Sequence, residues 1–123
     1  MSTEEHSLAE TPAVLAPPVD EALLAEIVRR ITGHLLNPCI VLFGSHAYGQ
    51  PSARSDLDLL VITDTQKGTY TVAGELYGIL RPRRVRMDIV VLTPEMYRRR
   101  RAGFDPFLEE IGSKGRVLYG QLP

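Results

Sequence analysis

A short apolar run, Cys39–Phe43, stops at Gly44 and limits the folds open to this chain. Wholly apolar runs of this length are typical of strands that are buried on both faces of a sheet. Such a strand needs helices on both sides to keep water away from it. The run therefore predicts an α/β (α+β) fold, in which helices flank a small sheet.

The rest of the chain supplies the flanking elements. Apolar residues recur at helical spacing from Leu23 to Leu35, with Asp20 as the N-cap and Asn37-Pro38 as the expected end. Further predicted elements are a strand over 56–63, a helix over 70–80, a strand over 85–92, helices beginning at Thr93-Pro94 and near 107–111, and a strand over 116–119. We expect one domain over residues 20–123, preceded by a disordered tail over residues 1–19 that is rich in Ser, Thr and Pro.

Composition argues against several classes of protein. The formal net charge of −1 gives no indication of a nucleic acid partner. The single cysteine, Cys39, cannot form an intramolecular disulfide and does not favour a thiolate zinc site. The acidic N-terminus lacks the apolar segment of a signal peptide, and no apolar run approaches the length of a membrane span. We therefore expect a cytoplasmic protein with no membrane partner.

Three carboxylates occupy positions that a sheet would bring together. Asp56 and Asp58 are two residues apart, so in a strand both point the same way. Asp88 interrupts another apolar strand, where a charge is costly unless it is paired or bound to metal. If the two strands are neighbours, the acids converge, and hard divalent cations such as Mg²⁺ relieve their repulsion. The alternative is an ion pair of Asp88 with Arg84 or Arg86.

Gly44-Ser45 follows the first predicted strand and opens a stretch compatible with a short helix up to Gly49. Glycine allows the backbone to approach a phosphate, and helix-initial amides with the Ser45 hydroxyl would donate hydrogen bonds to it. An anion site would then precede a cation site along the chain, which suits a nucleoside triphosphate. Taken singly, Gly-Ser is usually a turn and Asp-x-Asp a solvated strand end.

In this order, the motifs resemble the signature of the DNA polymerase beta-like nucleotidyltransferase superfamily. They are Phe43-Gly44-Ser45, Ser55-Asp56-Leu57-Asp58-Leu59 and Met87-Asp88-Ile89. The short chain is similar to the minimal nucleotidyltransferase (MNT) branch. The resemblance covers roughly residues 20–120 and implies the nucleotidyltransferase fold, a small mixed sheet flanked by helices.

The resemblance also implies roles for individual residues. Gly44 and Ser45 would bind the triphosphate of an NTP, with ATP as the expected substrate. Asp56 and Asp58 would hold two Mg²⁺ ions. Asp88 would help to bind one metal ion and would activate the acceptor hydroxyl.

Neighbouring residues are weaker candidates. Arg54 and Ser55, beside the aspartate motif, are further candidates for nucleotide binding. The chain departs from many MNT proteins at Tyr48, where they place a basic residue that contacts phosphate. We expect His46 to be exposed, although it follows the phosphate loop directly.

The MNT resemblance implies a partner as well as a reaction. Proteins of this branch commonly work with a helical HEPN-type protein in toxin–antitoxin pairs, where they transfer AMP to a hydroxyl of the toxin. Arginine clusters at 81–86 and 98–101 are candidates for docking an acidic partner surface. The alternatives are an enzyme that modifies a small molecule such as an antibiotic, and a non-catalytic module that blocks its partner by contact.

Overall fold

The computed structural model describes residues 15 and 18–123. The predicted tail over residues 1–19 therefore lies almost entirely outside the described residues. Val19 is buried in the core, and Leu15 packs against the same core. The packed part of the chain thus includes residues that directly precede the first helix.

Helices and strands alternate along the described chain. They are α1 (Glu21–Thr32), β1 (Cys39–Phe43), α2 (Ser45–Tyr48), β2 (Leu57–Ile62), α3 (Thr69–Ile79), β3 (Met87–Leu92), α4 (Pro94–Ala102), α5 (Pro106–Lys114) and β4 (Arg116–Tyr119). Along residues 15 and 18–123, no helix combines the length and the apolar character needed to cross a bilayer.

The strands form one mixed sheet in the order β3-β2-β1-β4. β1 is antiparallel to both β2 and β4, whereas β2 and β3 are parallel. The parallel pair is joined through α3, because parallel neighbours need a crossover connection. This arrangement confirms the predicted small mixed sheet.

Helices cover both faces of the sheet, which explains why every residue of β1 is buried. Ile27 of α1 and Leu76 of α3 pack against Leu42 in one core. On the other face, Tyr97 of α4 and Leu108 of α5 share a second core with β1 and β2. Burying each such side chain contributes roughly 1.5–3 kcal/mol before entropy costs. The two cores fix the strands whose ends carry the candidate residues.

Local signals set the starts of the longer helices. The Asp20 carboxylate accepts a hydrogen bond from the Leu23 amide at 2.8 Å. The Thr93 hydroxyl accepts one from the Met96 amide at 3.1 Å. Side-chain caps of this kind satisfy amides that have no partner inside the helix. Both predicted helix starts are confirmed.

Candidate active site

The end of β1 and the starts of β2 and β3 lie together at one end of the sheet. β1 ends at Phe43, which lies opposite Asp58 near the start of β2. Asp58 lies opposite Asp88 near the start of β3. Because paired residues in a sheet point to the same face, Asp58 and Asp88 share the face that α4 and α5 cover further along. The predicted meeting of these two carboxylates follows directly from the strand register.

Gly44 lies directly against the Asp58 carboxylate. Its φ of +78° belongs to the region that favours glycine. A Cβ at Gly44 would also overlap the Oδ2 atom of Asp58. Both the backbone conformation and the space therefore require glycine here, and the loop after β1 touches the carboxylate.

The short helix α2 begins immediately after Gly44. The Ala47 and Tyr48 amides donate to the Gly44 carbonyl at 2.9 and 3.0 Å, which closes the first turn. The amides of Ser45 and His46 precede this turn, so helix geometry provides them with no acceptor. Together with the Ser45 hydroxyl, they form a set of donors beside Asp58.

The Asp58 carboxyl group lies in an unfavourable electrostatic environment. Partial burial, together with the neighbouring charges of Asp88 and then Asp56, raises its pKa from 3.8 to about 6. A carboxylate whose charge is disfavoured by burial and by other acids gains most from a nearby cation. The group of acids therefore favours a positively charged ligand.

The exposure of Asp88 and the partner of Arg86 differ from what the sequence indicated. Asp88 is exposed rather than buried, because β3 is an edge strand and Asp88 is only its second residue. The Asp56 Oδ1 atom accepts a hydrogen bond from Arg86 Nε at 3.1 Å. Arg86 therefore pairs with Asp56 and not, as the sequence alternative had it, with Asp88. Asp56 itself directly precedes β2.

The donors fit a divalent cation by their chemistry but do not form a finished cage. Asp56, Asp58 and Asp88 offer carboxylate oxygens, which suit Mg²⁺. Within residues 15 and 18–123, no group of three or more His, Cys, Asp or Glu side chains is arranged to hold a metal ion. Asp56 is engaged by Arg86 instead. For all three carboxylates to bind, Asp56 has to exchange Arg86 for the cation.

Arg54 and Ser55 lie in the turn before Asp56. Ser55 Oγ accepts a hydrogen bond from the Ser52 amide at 2.9 Å. Arg54 is exposed, and both residues line a cavity of about 420 Å³ together with Arg84 and Arg86. The structure thus places these two candidates beside arginines of the loop before β3.

His46 is buried, so the prediction of an exposed side chain is wrong. It is 2% exposed. Neither ring nitrogen has a hydrogen-bond partner among the described residues. α2 is a single turn packed against β1 and β2. One turn is too short to show a periodic apolar pattern, so the sequence does not indicate which of its side chains points inward.

The fold and this arrangement of loop and acids define a class of protein. Residues 23–116 match the family model of the nucleotidyltransferase domain, and the chain belongs to that family. This confirms the resemblance found in the motifs. A solved structure that is similar is a chain of the toxin–antitoxin MntA-HepT, with 17% identity and a TM-score of 0.49 over 83% of this chain and 74% of that chain. No curated protein sequence matches significantly.

Proposed function

We propose that the protein is a metal-dependent nucleotidyltransferase that moves AMP from ATP onto a hydroxyl of a partner protein. The observation that carries the proposal is the position of Asp58, which touches Gly44 on one side and pairs in register with Asp88 on the other. The residues that would bind the triphosphate would then lie directly beside the carboxylates that would bind metal ions.

Each group of residues has a separate task in this reaction. Ser45 and the first amides of α2 would bind triphosphate oxygens. Asp56, Asp58 and Asp88 would hold two Mg²⁺ ions, which when bound supply charge neutralisation at the attacking and leaving oxygens. Asp88 would orient the acceptor hydroxyl and take its proton. The hydroxyl oxygen forms a bond to the α-phosphorus as the bond to pyrophosphate breaks.

An exposed site supports a protein acceptor. Asp88 is exposed, and the Arg86 side chain is 82% exposed. Phosphoryl chemistry gains from the exclusion of water, because electrostatic interactions are stronger in a dry site. A helical partner of HEPN type would cover the acids and present a serine or tyrosine hydroxyl. In such a pair this protein would be the antitoxin, and transfer of AMP would neutralise the partner. The proposal places both proteins in the cytoplasm, where ATP is available.

The Arg86–Asp56 ion pair favours a second candidate function. If Asp56 stays with Arg86, the acids do not form a metal site, and the chain acts as a binding module that blocks its partner by contact. The pair is largely exposed, and exposed pairs contribute only about 0–1 kcal/mol. A divalent cation that binds through three carboxylates would displace it, so we favour the enzyme.

Calorimetric titration of Mg-ATP tests the site. Asp56→Asn and Asp58→Asn should each weaken binding at least about tenfold, equivalent to about 1.4 kcal/mol, because each removes a metal-binding charge. Asp64→Asn is the matched control, since Asp64 is exposed beyond the opposite end of β2. Equal Mg-ATP affinity in all three variants and the wild type would remove the proposed site.

A further inference from the structure

The loop between α3 and β3 carries a cluster of arginines on a fixed backbone. Arg30 of α1 donates to the Arg81 carbonyl at 3.0 Å. Arg83 donates to the Tyr77 carbonyl at 2.5 Å, and its guanidinium lies 5.5 Å from the centre of the Tyr77 ring. These two arginines therefore hold the loop in place. Of the other guanidinium groups in the loop, that of Arg86 pairs with Asp56, whereas that of Arg84 forms no ion pair among the described residues.

Arg84 and Arg86 join Arg54 around one cavity. The cavity measures about 420 Å³, and Pro18 and Ser55 contribute to its wall. Among the described residues, neither Arg54 nor Arg84 forms an ion pair. Two unpaired guanidinium groups around a small concave surface raise its positive potential and attract anions. Arg86 adds a third free charge when Asp56 binds a cation in its place.

The cavity borders the acids on the side away from the phosphate loop. Arg86 lines the cavity and contacts Asp56 at 3.1 Å, so the cavity adjoins the three acids. Gly44 follows β1, whereas the arginine loop leads into β3, and β2 lies between these two strands. An acceptor whose hydroxyl reaches Asp88 on β3 would therefore bring its neighbouring residues to the arginines.

We infer that Arg54, Arg84 and Arg86 form a docking pocket for an acidic segment of the protein acceptor, next to the hydroxyl that is modified. The inference rests on the proposed transfer to a protein. Guanidinium groups match carboxylates with two parallel hydrogen bonds, and they do so better than a point charge. A nucleic acid would need a longer basic track to neutralise successive phosphates.

Peptide binding tests the pocket without any reaction. The probes are two fluorescein-labelled synthetic peptides, each with one tyrosine, flanked by glutamates in one and by glutamines in the other. At low salt, fluorescence anisotropy should show the glutamate peptide binding the wild type at least about tenfold more tightly, because carboxylates pair with the arginines. Equal affinity for the two peptides would overturn the inference.

Two variants of equal charge change locate the binding. Arg84→Glu should weaken binding of the glutamate peptide at least about tenfold, whereas Lys114→Glu on α5, outside both arginine clusters, should change it less than about twofold. Arg84→Gln provides a milder second variant if the first fails to fold. Equal losses at both positions would mean general charge attraction and would overturn the inference. Tighter binding of an oligothymidylate of matched charge would overturn it as well.

The two proposals fail in different ways. Loss of the peptide preference with intact Mg-ATP binding would remove the docking pocket and leave the nucleotide site. A wild type that binds the glutamate peptide at Arg84 but whose Mg-ATP affinity does not depend on Asp58 would keep the pocket and remove the enzyme.

Discussion

Gly44 has a positive φ and lies against the Asp58 carboxylate, and both features favour glycine at this position. Gly44→Ala should lower stability by about 1–3 kcal/mol, because a Cβ strains this backbone and displaces Asp58. Mg-ATP affinity should fall with it. Gly74→Ala is the control, since a Cβ there would have no described atom within 4 Å apart from its chain neighbours and the backbone of its own helix. In the middle of α3 this change should raise stability by about 0.5–1 kcal/mol. Equal melting temperatures for both variants would contradict the prediction.

Asp58 should make the metal-free fold less stable at neutral pH. Its pKa is raised from 3.8 to about 6, so the charged form is disfavoured in the folded state. With a discount for solvent screening, Asp58→Asn should raise stability at pH 7 by about 1–2 kcal/mol, or several degrees in Tm.

The sign of this effect can be checked by changing the pH. Below pH 3.8 Asp58 is protonated both folded and unfolded, and the destabilisation grows as pH rises towards about 6. Thermal melts in EDTA should therefore show the advantage of Asp58→Asn at pH 7 and little of it near pH 4. The Asp64→Asn control should match the wild type at both values. An Asp58→Asn variant that is less stable at pH 7 would show that the carboxylate stabilises the fold.

At the scale of the element, α3 fixes the start of β3. The Tyr77 hydroxyl accepts from the Ile89 amide at 2.8 Å and donates to the Met87 carbonyl at 3.4 Å, on either side of Asp88. These bonds cover the open edge of β3, which has no strand partner on that side among the described residues. Tyr77 is therefore a positioning residue for Asp88.

Tyr77→Phe should slow nucleotidyl transfer more than it weakens Mg-ATP binding. The lost hydrogen bonds cost about 1–2 kcal/mol of stability and let Asp88 move, while Gly44 and Asp58 keep their contact. Tyr97→Phe is the matched control, because its hydroxyl bonds Arg101 at 2.9 Å on α4, away from these acids. We expect a lower kcat with little change in the KM for ATP for Tyr77→Phe only. Equal kcat values in the two variants would refute the positioning role.

Local signals predicted where most elements begin, and contacts between distant residues decided the rest. Asp20 was a sufficient signal for the start of α1. The end of α1 was expected at Asn37-Pro38, but the helix stops at Thr32 and Gly33 is its C-cap. Glycine is a weak helix former, so it favours an end at this position. The strand order and the exposure of Asp88 depend on sheet pairing, which local spacing does not determine.

The sequence indicated which candidate residues lie together but not all of their contacts. Gly44, Asp58 and Asp88 meet as the motif order implied. The partner of Asp56 could not be read from the sequence, since Arg86 is thirty positions away and three other arginines precede it in the same loop. The burial of His46 depends on how one turn of helix packs, which is a tertiary property.

At the scale of the whole molecule, the described domain buries its central strands and leaves Asp88 and the arginine loop exposed. Both sheet faces are covered by helices, whereas Asp88 and the arginine loop face solvent. A domain of about a hundred residues buries a modest fraction of its surface, and under the proposed function a partner protein would cover this part of it. The exposed edge is therefore the expected contact surface.

Transfer of AMP to a partner protein is the test of the proposed function as a whole. Incubation with a helical HEPN-type protein encoded by a neighbouring gene, ATP and magnesium should add one or more AMP groups to that protein, seen as a mass increase in intact-protein mass spectrometry. Asp56→Asn should abolish the increase because it removes a metal-binding carboxylate. Asp64→Asn, which keeps the acids at this edge, should retain it. If Asp56→Asn neutralises the partner as well as the wild type does, with no mass change in either case, the protein acts by contact, and the Arg86–Asp56 pair is then part of a binding surface rather than of a metal site.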